Sequence, residues 1–310
     1  MIFVKPKVER WEQKDIWDHA ARCARVCYQS VPSKNESNED FIKRVIMKHT
    51  KKESDVFEPI KDHLSVLEHI TLKLIIPNES NNFYDITHFY DTNKYSDIVS
   101  NEQKNNNIII TNLRVLIEND RIDDLKYNNP SINAGLFERF TFCITTDIGV
   151  TREGNRHRVN SISEESTRFC NYHSDRLNKD ITYVKVPWIN EDCYKSLNEF
   201  GSNTPVLDIN NRFIDHNTTN WKDIDWYFYA LDVASIAYNK LIELGWTPQM
   251  ARNVLNLNTK SQIVYTASLW DWCHFIALRS DGASGTPHPE MKIITDKIKE
   301  ILKTSANELI

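Results

Sequence analysis

No apolar stretch in this sequence approaches the roughly twenty residues needed to cross a bilayer; runs such as 74–76 and 108–110 are far too short. Residues 1–7 lack the apolar core of a signal peptide, so a cytoplasmic protein without a membrane partner is expected. No GxGxxG loop opens a βαβ alternation, which argues against a Rossmann-type cofactor domain. An excess of positive charge is missing too. The formal net charge of -5 argues against a general nucleic-acid coat, whose affinity comes from neutralising phosphates, and nucleic acid is not an expected partner. The six cysteines (Cys23, Cys27, Cys143, Cys170, Cys193 and Cys273) are too scattered for a disulfide framework. Cys23 and Cys27 have the i, i+4 spacing of a helical ligand pair, but no second Cys or His pair matches it, so no metal site is expected.

What is present is an ordinary globular composition, 40% hydrophobic and 26% charged over 310 residues, read as one domain spanning 1–310. Strand-like segments fall at 2–4, 70–76, 137–144 and 181–186. Helical spacing of apolar residues marks 17–28, 41–47, 226–244 and 289–302. The expected class is α+β, an antiparallel or mixed sheet flanked by helices. Residues 78–130 are rich in Asn, Asp and Lys, with only 108–117 strongly apolar, and read as a decorated insertion. In 268–279, Trp270, Phe275 and Ile276 are expected in the core.

The richest stretch runs from 152 to 168, REGNRHRVNSISEESTR. It follows a predicted strand and turn, and its first half, 151–158, is expected to be helical. Arginines offer planar donor forks suited to phosphate, and serine hydroxyls complete a phosphate's hydrogen bonds, so the run suits a nucleotide or dinucleotide. A solvated charged helix followed by a serine-rich turn is the blander alternative. Arg252 and Arg279 each end an apolar stretch, where an unpaired guanidinium is costly, so each needs an anionic or carbonyl partner.

The pattern RHRxxSxxxxSxR, formed by Arg156, His157, Arg158, Ser161, Ser166 and Arg168 with Glu164 between, resembles the signature of flavin-dependent thymidylate synthases. HLSVLEH at 63–69 is similar to that family's N-terminal flavin and folate motif. GWTPQMAR at 245–252 and SLWDWCHFIALR at 268–279 are similar to its C-terminal half. FCNY after Arg168, TPHPEM at 286–291 and the insertion resemble the family's longer members. Gly154 and Asn155 depart from the family pattern, replacing apolar helix residues with poor helix formers.

The resemblance implies an enzyme that methylates dUMP to dTMP, with FAD as cofactor and NADPH and methylenetetrahydrofolate as co-substrates, working as a homotetramer with active sites shared between subunits. It implies a cofactor set of His63, Ser65, His69, Arg156, His157, Arg158, Glu164, Ser268 and His274. The implied substrate set is Glu153, Arg156, Glu164, Glu165, Ser166, Thr167, Arg168, Arg252 and Arg279. Arg279 carries the catalytic role, a cation against the uracil favouring ionisation at N3. No enzymic nucleophile is implied; Ser166 has no evident general base beside it and is read as a phosphate ligand. Two other readings stay open: a non-catalytic nucleotide- or RNA-binding module built on the arginine cluster, and a flavoenzyme acting on another pyrimidine nucleotide.

Overall fold

A computed structural model describes residues 1–46, 64–77, 83–101, 106–174, 177, 180–199 and 221–309. In chain order the elements are β1 (Ile2–Val4), β2 (Lys7–Trp11), α1 (Ile16–Tyr28), α2 (Asn38–Val45), β3 (Thr71–Pro77), α3 (Phe83–Thr92), β4 (Asp97–Asn101) and β5 (Asn106–Asn112). There follow α4 (Leu113–Glu118), β6 (Arg139–Asp147), α5 (Ile148–Gly154), β7 (Ser161–Glu164), β8 (Thr182–Val184), α6 (Glu191–Glu199) and α7 (Asp223–Glu243). The chain closes with α8 (Pro248–Ala251), β9 (Lys260–Ser268), α9 (Leu269–Arg279) and α10 (Pro289–Leu309).

The local chemistry that starts and stops these elements is visible in their caps. Asp15 accepts from the backbone N–H groups of Trp17 and Asp18 to open α1, and Ser37 caps α2 through the N–H of Asp40. The apolar, β-branched run of β6 pairs with β9 along its whole length, from Arg139 opposite Ser268 to Asp147 opposite Lys260. β2 pairs with the other edge of β6 and β7 with the far edge of β9, giving an antiparallel sheet in the order β2-β6-β9-β7. β3, β5 and β4 form a second antiparallel sheet, and β1 and β8 form a parallel pair. The α+β expectation, antiparallel or mixed sheet with flanking helices, holds. No described helix is long and apolar enough to cross a membrane.

Apolar clusters hold these layers, three of them large. One joins α1, α2, β3, β5 and α4 and reaches the large sheet through Cys143 and Val264. A second packs α9 and α10 on β6 and β9, with Phe142 edge-on to Trp272 at 5.0 Å. The third gathers Tyr183, Tyr194, Phe228 and Tyr238 around β8 and α7.

Several expectations need correcting. Trp270 is 63% exposed, and Trp272 takes the interior position instead. The reason is helical period: Trp272, Phe275 and Ile276 stand at i, i+3 and i+4 on one face of α9, and Trp270 lies off that stripe. Helix is expected across 151–158, but α5 stops at Gly154 with Asn155 as its C-cap, so Arg156, His157 and Arg158 lie in the turn beyond. β5, inside the 78–130 segment, pairs with all of β3, from Thr71 opposite Asn112 to Pro77 opposite Asn106, and buries Ile109. That strongly apolar part of the expected insertion thus lies in the core. The helix expected to reach Met47 is described only to Val45, and 78–82, expected as loop, lies outside the described residues.

Candidate active site

The site grows from the end of β6. Asp147 caps α5 by accepting from the N–H of Val150 at 2.7 Å, which fixes the helix above the sheet and turns Thr151, Arg152 and Asn155 toward one side. β7 then carries Glu164 to the same side. The turn after it is pinned by two backbone bonds, Glu165 N–H to the Gln262 carbonyl at 2.8 Å and Ser166 N–H to the Cys27 carbonyl at 2.9 Å. The residues following α8 supply the opposite wall. Between them lies a cleft of about 650 Å3 lined by Arg152, Asn155, Glu164, Ser166, Thr167 and Arg252 among others.

One contact crosses the cleft, and a second joins two residues outside its lining. Arg252 Nη1 donates to Thr167 Oγ1 at 3.3 Å, and Arg168 Nη2 donates to Gln249 Oε1 at 3.4 Å. Both arginines are exposed, and neither meets a carboxylate among the described residues. The partner required for Arg252 is thus a neutral hydroxyl, which leaves its charge uncompensated. Arg152, Arg156 and Arg158 are also exposed, with no side-chain hydrogen bond or ion pair among the described residues. Ser166 Oγ accepts the Arg168 N–H at 3.3 Å and has no general base beside it.

Arg279, Glu153 and His157 form a second group that does not line this cleft. From the last turn of α9, Arg279 donates through Nη1 to Glu153 Oε2 at 3.3 Å, through Nη2 to the Glu153 carbonyl at 3.2 Å, and through Nε to His157 Nε2 at 3.1 Å. The expected anionic and carbonyl partners are therefore both supplied by Glu153. His157 sits 4.4 Å from the Phe275 ring and 6.2 Å from the exposed His274. Burial, then the charges of Arg279 and His274, push its pKa down to about 4, so at neutral pH Nε2 is an uncharged acceptor for the guanidinium.

The remaining predicted residues are dispersed. Glu165 lies at the cleft floor, but its carboxylate is turned inward onto Lys260 Nζ at 2.6 Å, with Tyr172 Oη and Gln29 Nε2 each donating at 3.3 Å. It braces the turn under Ser166 instead of facing a ligand. His69 is fully buried, with Nδ1 2.8 Å from Thr266 Oγ1 and Nε2 3.0 Å from Ser163 Oγ; both ring nitrogens are engaged in the interior, and burial holds its pKa well below the usual value. Ser268 caps α9, accepting from the Asp271 N–H at 3.1 Å and donating to the Asp271 carboxylate at 2.6 Å. Ser65 is exposed on the turn Leu64–His69, away from this cleft, and His63 lies outside the described residues. Residues missed by the sequence reading include Lys260, Asn253 and Asn256. Asn253 follows Arg252 directly and Asn256 stands four residues after it, a proximity that could have marked them. No group of three His, Cys, Asp or Glu among the described residues could hold a metal ion.

The family model for thymidylate synthase complementing protein matches residues 135–306, which contain both walls of the cleft and the Arg279 group. Flavin-dependent thymidylate synthases of Thermosipho melanesiensis and Thermosipho africanus are 26% and 25% identical over 147 residues, 46% of this chain and 54% of theirs. The chain thus spans about half the length of the curated relatives it matches. Two solved structures of the UMP/dUMP methylase PolB from Streptomyces cacaoi, bound with 5-Br dUMP and 5-Br UMP, are 24% and 19% identical. They cover 54% and 61% of this chain and 68% and 74% of theirs, at TM-scores of 0.38 and 0.37. With more than half of its length matched, the chain belongs to the thymidylate synthase complementing protein family, the family of flavin-dependent thymidylate synthases.

Proposed function

We propose that this protein methylates dUMP to dTMP, with FAD as its bound cofactor, NADPH as reductant and methylenetetrahydrofolate as one-carbon donor. The observation that carries the reading is the cleft in which Ser166 and Thr167 oppose Arg252, with Arg168 next in the chain, and among the described residues no carboxylate pairs with either guanidinium. Two uncompensated guanidiniums beside a hydroxyl suit a phosphomonoester, which accepts bidentate charge-assisted hydrogen bonds. Glu164, on the same wall, is an acceptor for N–H or O–H groups of the nucleotide. With no base beside its hydroxyl, Ser166 binds and does not attack.

The chain's residues also fit a phosphate-bearing cofactor. Arg156 and Arg158 project from the turn after α5 with no protein partner among the described residues, a state that costs nothing in water and favours a diphosphate. We assign FAD to these two, with His157, His274, Glu164 and Ser65 as further contacts; His63, assigned with them, lies outside the described residues. His69 and Ser268 act from behind it, because their polar atoms are already bonded within the fold. When bound, the flavin supplies the hydride chemistry that no side chain provides.

Arg279 stands with Glu153 and His157, outside the cleft lined by Thr167 and Arg252 of the same chain. A homotetramer with shared sites accommodates this, one subunit bringing its Arg279 beside the uracil held by another, where a cation favours ionisation at N3. Residues 1–310 are read as one domain in the cytoplasm, with 78–130 as an insertion preceding the matched span.

The direct test is the visible spectrum of protein supplied with FAD, followed anaerobically by NADPH and then dUMP. Retained flavin bands that bleach at a rate changed by dUMP are expected. Protein that neither retains flavin nor oxidises NADPH overturns the reading, and a preference for dCMP or UMP over dUMP revises the substrate.

A further inference from the structure

Gly154 and Asn155 end α5, and the sheet beneath explains why both belong there. Gly154 is buried, and a Cβ at this position would overlap Tyr265 Oη and lie 3.0 Å from Tyr265 Cζ. The missing side chain is what allows Tyr265, on β9 and 2% exposed, to stand upright under the helix. Its hydroxyl lies 3.0 Å from Asn155 Oδ1 and 3.4 Å from the Thr151 carbonyl oxygen. Burial, then the nearby Glu164 carboxylate, push the phenol's ionisation upward, so the group remains an O–H donor at physiological pH.

A phenol proton given to Oδ1 settles which way the Asn155 amide faces. Its Nδ2 then points the other way, toward Glu164 Oε2 at 3.4 Å. The second oxygen of Glu164, Oε1, accepts from Ser261 Oγ at 2.9 Å. The carboxylate is held from two sides, and both Asn155 and Glu164 line the cleft.

We propose that Asn155 is a positioning residue that fixes the Glu164 carboxylate for the nucleotide, with the Tyr265 hydroxyl setting the direction of the Asn155 amide. The proposal rests on the nucleotide reading of the cleft given above. An apolar residue at 155 leaves Glu164 held from one side only. An acid at 155 faces it with a like charge, which two neighbouring carboxylates relieve by sharing a proton.

The test is calorimetric titration of dUMP into the FAD-supplied protein at pH 6 and pH 8, with circular dichroism to confirm folding. Asn155→Leu is expected to weaken dUMP binding about fivefold to tenfold at both pH values, the effect of one charge-assisted hydrogen bond. Asn155→Asp is expected to bind poorly at pH 8 and to recover at pH 6, a dependence that a purely structural role would not produce. Tyr265→Phe, which loses one oxygen and keeps the ring, is expected to weaken binding about threefold and carries the test if the Asn155 variants fail to fold. Wild-type binding with unchanged affinity in the variants at both pH values overturns the proposal alone. Absence of dUMP binding by the wild type overturns it together with the nucleotide reading.

Discussion

At the scale of single residues, the chemistry of a side chain and the use made of it separate most clearly at Ser268. Its hydroxyl both accepts from the Asp271 N–H and donates to the Asp271 carboxylate, so it is committed to opening α9. Ser268→Ala is expected to lower stability by about 1 kcal/mol in urea unfolding while leaving flavin retention intact; lost flavin with unchanged stability would place Ser268 against the cofactor. His69 teaches the same lesson. Its sequence context matches a cofactor motif, but the structure gives both ring nitrogens to Thr266 and Ser163. A short motif reports which residue types coexist, whereas the direction of a side chain depends on strands that pair from distant parts of the chain. Ser166, Thr167 and Arg252 were legible because exposed arginines and hydroxyls keep their chemistry whatever the fold packs behind them. Glu165 was not, because its partner Lys260 is brought in by the pairing of β9 with β7.

At the scale of elements, α5 is the piece on which the site turns. Its first residue follows the Asp147 cap, its last is Gly154, and it carries Arg152 and Asn155 toward the cleft and Glu153 toward Arg279. Gly154→Ala would ordinarily favour a helix, but the added Cβ meets Tyr265, so a loss of about 1–3 kcal/mol is expected in denaturant titration. A gain in stability would mean that Tyr265 does not stand under the helix. α10 begins at a second sensitive point, where Glu290 is buried against Asp147 and Oε1 accepts from Thr146 Oγ1 at 2.5 Å. Burial, then Asp147, raise the Glu290 pKa from 4.5 to about 7. The folded protein therefore holds a proton that the unfolded chain releases, and the contribution of Glu290 to stability is lost as pH rises through the interval from 4.5 to 7. In thermal melts the stability of the wild type relative to Glu290→Gln is expected to fall by about 3 kcal/mol across this interval, a difference that separates Glu290 from the buried histidines, whose lowered pKa values act in the opposite direction; parallel pH profiles would remove the linkage. Long periodic elements such as α1, α7 and α10 were readable from apolar spacing. The short strands β2 and β7 were not, because their residues become strands only by pairing with β6 and β9.

At the scale of the whole molecule, a chain of net charge -5 brings the exposed Arg152 and Arg252 to one cleft. Such a local cationic site in an acidic protein suits a small anionic ligand better than an extended polyanion. The α+β class was legible from a mixture of strands and helices with no βαβ alternation opened by a Gly-rich loop. The separation of Arg279 from the cleft was not, since spacing along a chain says nothing of which face of a helix or which subunit a residue meets. The flavin-dependent methylation of dUMP proposed for this protein is tested by product analysis with chromatography after incubating it with dUMP, FAD, NADPH and methylenetetrahydrofolate labelled in its one-carbon unit. Labelled dTMP that disappears when FAD, NADPH or the folate is omitted, and in Arg168→Ala, is expected; no labelled dTMP from folded, FAD-supplied protein would rule the proposed reaction out.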